Sequence, residues 1–238
     1  MVALQIERIP SGVKTIDDCV GGGFPRGRII ELYGAQSGGK SLIAHLIVSQ
    51  AQKKGMECIY VDAENTFSPE FAKKIGVDTD KLILTQSSIG EDTIDLVCKL
   101  LDGNPGVIVV DSVAALITTG EIEEDAEKQF MAPKARLMSR GLSKMNTLNK
   151  DTLIIFVNQL RSTMAMYGPK TTTTGGIALG HYASVRMEVK KGDLIYKDGK
   201  KTGDVIGQTV NCYVTKNKTA QPYRRGSFQL LYEPLQII

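Results

Sequence analysis

Gly34-Ala35-Gln36-Ser37-Gly38-Gly39-Lys40-Ser41 lies between the apolar run Ile29 to Tyr33 and a stretch of helical periodicity that begins at Lys40. The spacing Gly-x-x-x-x-Gly-Lys-Ser is that of a phosphate-binding loop. Glycines allow backbone torsions and close approaches that turn successive N–H groups inward around phosphate oxygens. The helix N-terminus that follows adds partial positive charge. Lys40 is placed to reach the β- and γ-phosphates of a nucleoside triphosphate. The Ser41 hydroxyl is placed to complete the coordination of Mg²⁺, a cation that prefers oxygen ligands. A glycine-rich turn with a chance lysine would lack this strand and helix. The expected ligands are therefore a nucleoside triphosphate and Mg²⁺.

Outward from this loop, short β-rich runs alternate with helical periodicity. Cys58 to Asp62 reads as a strand, a helix starts at Pro69, and Leu82 to Thr85 is the next strand. A helix around Asp92 to Leu101, the strand Val107 to Asp111, a long helix near Met131 to Leu148 and the strand Leu153 to Asn158 follow. Such alternation implies an α/β fold with a mostly parallel central sheet and helices on both faces. After residue 183 the pattern changes to Val185 to Lys190, Asp193 to Lys197 with a turn at Lys197-Asp198-Gly199-Lys200, Val210 to Thr215 and Ser227 to Tyr232. These predict antiparallel strands that extend the sheet at its C-terminal end. The polar stretches 117–130 and 161–176 are too long for ordinary connections and are candidate binding loops.

Composition sets outer bounds. The 238 residues are 42% hydrophobic and 23% charged, enough for one sizeable core, so a single domain over 1–238 is expected. A net charge of +3 does not by itself imply nucleic acid. Cys19, Cys58, Cys98 and Cys212 lack Cys-x-x-Cys spacing and read as reduced thiols. The start Met1-Val2-Ala3-Leu4-Gln5-Ile6-Glu7-Arg8 lacks the build of a signal peptide, and no apolar run is long enough to span a bilayer. The expected compartment is the cytoplasm.

Two further elements carry chemistry. Val107-Ile108-Val109-Val110-Asp111-Ser112 is a buried-strand pattern ending in a carboxylate, about seventy residues after the phosphate loop, which puts Asp111 beside the Mg²⁺. Tyr60-Val61-Asp62-Ala63-Glu64 delivers acids to another strand tip. ATP hydrolysis needs a carboxylate that orients and polarises the attacking water, and Glu64 is the best-placed candidate. Asp62 reads as structural or as an outer partner of the metal.

Taken together, Tyr33 to Ser41, Val61 to Glu64, Val107 to Leu116, Val157-Asn158-Gln159-Leu160-Arg161, Thr172 to Gly176, Tyr182 to Arg186 and Lys216-Asn217-Lys218 occur in the order found in bacterial RecA. The chain resembles a RecA-type recombinase core from about Ile9 to Tyr232. The resemblance implies a RecA-like phosphate-loop NTPase fold and a DNA-dependent ATPase. It makes Gln159 the sensor of the γ-phosphate that relays its presence into a DNA loop, and Phe71 either the aromatic that stacks on adenine or a core contact. Lys216 and Lys218 match lysines that reach a neighbouring subunit's γ-phosphate, which implies a homo-oligomer or filament.

The resemblance also assigns 118–132 and 161–176 as DNA loops. In the first, Glu121-Ile122-Glu123 is retained, but Glu124-Asp125-Ala126-Glu127-Lys128 is acidic where the family has glycines, so phosphate contact there is disfavoured. In the second, Met164, Met166 and Tyr167 are placed to wedge between or stack on bases, with Arg161 and Lys170 near phosphates. Thr172, Thr173 and Thr174 supply hydroxyls, and Gly175 and Gly176 offer N–H groups as a helix opens. Arg136 matches a DNA-contacting arginine. The implied partner is single-stranded DNA bound without sequence preference, with duplex DNA as a second partner.

Two departures accompany these matches. About eight residues precede Ile9, shorter than the family's N-terminal docking helix and strand, and the family's C-terminal domain has no counterpart in the sequence; both lead to an expectation of reduced self-assembly. His181 stands where the family has an interface phenylalanine. The leading expectation is a strand-pairing recombinase; the alternative is an accessory protein using ATP as a conformational ligand, and the further alternative a ring-forming helicase or translocase.

Overall fold

The computed structural model describes residues 6–123, 131–162, 171–197, 199 and 203–238. A small antiparallel pair, β1 (Arg8–Ile9) and β2 (Phe24–Pro25), brackets helix α1 (Lys14–Val20). The chain then alternates through β3 (Ile29–Gly34), α2 (Lys40–Lys53), β4 (Cys58–Asp62), α3 (Pro69–Ile75), β5 (Leu82–Thr85), α4 (Gly90–Leu100) and β6 (Val107–Asp111). A short α5 (Thr119–Glu123), the long α6 (Met131–Leu148), β7 (Leu153–Ser162), β8 (Thr171–Thr173) and α7 (Ala178–Tyr182) follow. The chain ends in β9 (Val185–Tyr196), β10 (Val205–Asn217), β11 (Arg225–Leu231) and β12 (Gln236–Ile237).

The main sheet has the order β12-β11-β10-β9-β3-β7-β6-β4-β5, with β8 paired to β7. From β9 to β5 all neighbours are parallel; from β9 to β12 all are antiparallel. The buried strands feed two cores by alternation. Cys58 and Tyr60 of β4, and Val107 and Val109 of β6, pack with α2 and α3 residues on one face. Ile59, Val61, Ile108 and Val110 pack with α4 and α6 on the other. Each such aliphatic side chain contributes about 1.5–3 kcal/mol on leaving water, so both faces need their helices. Ser68 accepts from the Phe71 N–H at 3.3 Å and Pro69 occupies the first turn, which fixes where α3 begins.

The structure corrects three expectations. Val185 to Lys190 and Asp193 to Lys197 are not separate strands: β9 runs continuously to Tyr196. Its pairing with β10 slips between Val210↔Lys191 and Gln208↔Leu194, so Gly192 and Asp193 form a bulge. A Cβ on Gly192 would lie 2.5 Å from the Asn211 side-chain nitrogen, which explains the glycine. The strand from Leu153 does not stop at Asn158 but reaches Ser162. Part of the expected second loop is also strand, since Thr171, Thr172 and Thr173 pair antiparallel with Ser162, Arg161 and Leu160.

Register brings the strand tips level. Gly34 sits opposite Gln159, and Asp111 opposite both Val157 and Asp62. The phosphate-loop sequence and the two acidic tips therefore share the carboxyl edge of the parallel sheet, the edge where open α/β folds bind ligands.

Candidate nucleotide site and its links to the threonine loop

The loop between β3 and α2 is packed too closely for side chains at its glycines. A Cβ at Gly34 would lie 2.1 Å from the Val189 carbonyl oxygen, and one at Gly38 2.8 Å from the same atom. Gly39, which caps α2, has φ 98°, a left-handed conformation that favours glycine. Ala35, Gln36 and Ser37 stand exposed above this base. Lys40 is 7% exposed, and its Nζ donates to the Ala35 carbonyl at 2.6 Å. Burial lowers its pKa, against the opposing pull of Asp111 and Glu64. A buried ammonium bonded to its own loop, beneath a glycine-built cradle at a helix N-terminus, fits a polyphosphate.

Asp111 is 8% exposed at the end of β6. Burial pushes its carboxyl pKa up, while hydrogen bonds from Tyr60 and Ser41 pull it down. The Tyr60 hydroxyl donates to Asp111 Oδ2 at 2.6 Å. A serine hydroxyl and a carboxylate side by side make an oxygen-only donor set suited to Mg²⁺. Among the described residues no cluster of three or more His, Cys, Asp or Glu side chains forms a protein-only metal cage. Mg²⁺ characteristically takes one or two protein ligands and completes its shell with phosphates and water.

Glu64 is half-buried just beyond β4. It accepts one hydrogen bond from Ser112 Oγ and another from Gln159 Nε2, the latter at 2.9 Å, both on Oε1. Asp62 accepts from the N–H groups of Thr66 at 3.2 Å and Phe67 at 2.9 Å, so it ties down the turn that carries Glu64. Phe71 is half-buried, with its ring edge-on to His45 at 6.0 Å.

A second network leads from this edge to the threonine loop. Asn158 Nδ2 donates to Glu31 Oε1 at 2.9 Å and to the Thr174 carbonyl at 3.0 Å. Thr174 Oγ1 donates to Asn158 Oδ1, which also accepts from the Gln159 N–H at 2.9 Å. Glu31, fully buried, is paired at 2.5 Å with Arg186, whose guanidinium lies 4.8 Å from the centre of the Tyr33 ring. Gly175 and Gly176 follow with φ 81° and 78°, where Cβ atoms would lie 3.0 Å from Val113 and 2.9 Å from Ala135.

Arg136 is exposed on α6, and Arg161 is exposed on β7 beside Thr172. Lys216 Nζ donates to the Gly180 and His181 carbonyls at 2.6 and 2.9 Å, and Lys218 Nζ to His181 at 3.4 Å. These lysines thus bind α7, the helix after the threonine loop, rather than residues 34–41 of their own chain. Met164, Met166, Tyr167 and Lys170, and the acidic run Glu124 to Lys128, lie outside the described residues.

Sequence reasoning missed Tyr60, Ser112, Asn158 and Glu31 as members of these networks. A signal existed for two of them: a tyrosine and a glutamate inside otherwise apolar buried strands each require a polar partner. Lys134 was also missed; it is half-buried, with Glu121 and Arg161 as its charged neighbours.

Comparison with known proteins accords with this geometry. Residues 1–235 match the RecA N-terminal domain family. The chain is 45% identical over 235 residues to Protein RecA of Fusobacterium nucleatum, covering 97% of this chain and 61% of that protein. It is likewise 45% identical to Protein RecA of Francisella tularensis subsp. novicida, of which it covers 64%. The chain thus spans somewhat under two thirds of the length of these relatives. With a phosphate loop, two acidic strand tips and a threonine–glycine loop hydrogen-bonded to one sheet edge, and a family match over almost its whole length, the chain belongs to the RecA family.

Proposed function

We propose that the chain is the nucleotide- and DNA-binding core of a recombinase: an ATPase that holds single-stranded DNA without sequence preference and promotes homologous pairing in recombination and repair. The observation that carries this reading is the sharing of one sheet edge by Glu64, Gln159 and the threonine loop. Gln159 donates to Glu64 while its own N–H is held by Asn158, which is bonded to Thr174. A nucleotide that draws the Gln159 amide away from Glu64 would act on both the water-polarising acid and the loop.

In this reading Gly34 to Gly39 cradle the phosphates, Lys40 turns from Ala35 to the β- and γ-phosphates, and Phe71 meets the base. Ser41 and Asp111 hold Mg²⁺, which supplies neutralisation of charge on the phosphate oxygens. Glu64 orients the water and accepts its proton. Lys216 and Lys218 leave the α7 carbonyls to approach the site of a neighbouring copy, so a homo-oligomer or filament is the active form. Arg136, Arg161, Thr172 to Gly176 and the loop residues Met164, Met166, Tyr167 and Lys170 contact single-stranded DNA, and duplex DNA is the second substrate. The site of action in this reading is the cytoplasm; no helix among the described residues is long and apolar enough to cross a membrane. The family match lends no support to a ring translocase or a purely accessory role.

The test is retention of a labelled single-stranded oligonucleotide at moderate salt with a non-hydrolysable ATP analogue. ATP-dependent retention, insensitive to sequence and lost in Lys40→Ala, is the expected result. No retention in any nucleotide state overturns the reading.

A further inference from the structure

The Tyr60 ring is 2% exposed, in the interior of β4, and its hydroxyl ends on Asp111 Oδ2 at 2.6 Å. A short bond to an ionised acceptor is among the stronger hydrogen bonds a protein makes, and it fixes the direction of the carboxylate. The tyrosine ring is itself held on two sides. His45 stacks flat on it, with centroids 5.2 Å apart and planes 7° apart, and Phe67 meets it at 5.1 Å and 61°. His45 is 4% exposed, and among the described residues neither ring nitrogen makes a well-formed hydrogen bond. Its imidazole thus acts here as a flat packing surface. It lies on α2 one turn after Ser41, so the helix that presents the metal serine also clamps the tyrosine that holds the metal acid.

Neither the phosphate loop nor the water-polarising acid requires this arrangement. Asp111 could be oriented by Ser41 alone, and an apolar ring in place of Tyr60 would fill the same space. The hydroxyl costs desolvation unless it is bonded, and it bonds the candidate metal acid Asp111, with the Ser41 side chain, the other candidate ligand, beside it. Outer partners that orient a ligating carboxylate commonly change metal affinity by roughly tenfold or more.

We propose that Tyr60, clamped by His45, is a positioning residue for the metal site: its hydroxyl occupies Asp111 Oδ2 and sets the orientation in which the carboxylate engages nucleotide-bound Mg²⁺. This rests on the reading of Ser41 and Asp111 as the Mg²⁺ pair. It concerns affinity for the metal rather than for the nucleotide.

The experiment measures binding of a fluorescent ADP analogue to the wild-type chain and to Tyr60→Phe, which keeps the ring and removes the hydroxyl. One arm titrates Mg²⁺ and the other uses EDTA. The expected result is a Mg²⁺ half-saturation raised about tenfold in Y60F, with nucleotide affinity in EDTA changed less than about twofold. In an Asp111→Ala background, Y60F should add nothing further, which separates positioning of the carboxylate from a general effect on folding. An unchanged Mg²⁺ half-saturation, an equal loss in the EDTA arm, or an undiminished effect of Y60F in the Asp111→Ala background overturns the proposal. If Mg²⁺ changes binding in neither wild type nor Asp111→Ala, the Mg²⁺ reading of Ser41 and Asp111 fails instead, and Tyr60's role falls with it.

Discussion

Gln159 and Glu64, 95 positions apart in the chain, are joined by a 2.9 Å hydrogen bond from Nε2 to Oε1. The same oxygen accepts from Ser112 Oγ. Both bonds fall on Oε1, and in the function proposed above a γ-phosphate draws the glutamine amide away from this oxygen. Two variants separate the roles. Glu64→Gln should retain nucleotide within about twofold while turnover falls by about a hundredfold or more, the usual scale for losing a general base. Gln159→Ala should bind nucleotide normally and lose the response of turnover to DNA. Equilibrium binding and steady-state phosphate release measure both.

Breaking the Glu31–Arg186 pair should damage the fold more than any surface change. Glu31 is fully buried, paired with Arg186 and bonded to Asn158. Arg186→Met leaves a buried carboxylate with one neutral partner. The expected loss is about 2–4 kcal/mol, at the low end because the arginine side chain keeps 25% exposure. The double change Arg186→Met with Glu31→Leu should recover much of it. Urea unfolding of the three proteins gives the answer, and equal stability of the single and double variants would contradict it.

His45 should make the fold sensitive to acid. Its pKa is lowered from 6.5 to about 4 by burial among Tyr60, Phe67 and Phe71. The unfolded chain binds a proton near 6.5 and the folded chain refuses it until about 4. This contribution is therefore present above 6.5 and is lost as the pH falls toward 4. Between pH 7 and pH 5 the wild type should lose about 2 kcal/mol more than His45→Leu. Asp111, whose carboxyl is pushed up, acts in the opposite sense but is common to both proteins, so the difference isolates His45. Denaturant midpoints at the two pH values test it.

The parts of the site that could be read from the chain are those whose function fixes local spacing. Gly34 to Ser41, the tip acids Glu64 and Asp111, and the strand and helix around each are short-range patterns, and β3, β4, β5 and β6 fall where those patterns put them. The networks between strands were not legible. Asn158 meets Glu31 across 127 positions and Arg186 meets Glu31 across 155, a pairing that sheet order alone creates. β8 escaped notice because Thr171 to Thr173 is short and polar, and its strand state comes from pairing with β7 rather than from burial. The single β9 was hidden by Gly192 and Asp193, which read as a break and act as a bulge.

The link from nucleotide edge to threonine loop is tested most directly by the rate of ATP hydrolysis with and without single-stranded DNA, measured on the wild type and on Asn158→Ala. The account predicts that DNA raises the wild-type rate at least about tenfold, and that Asn158→Ala, with nucleotide still bound, loses most of that rise because Gln159 and Thr174 are no longer joined. A wild-type rate indifferent to DNA, or an Asn158→Ala protein stimulated as fully as the wild type, would contradict it.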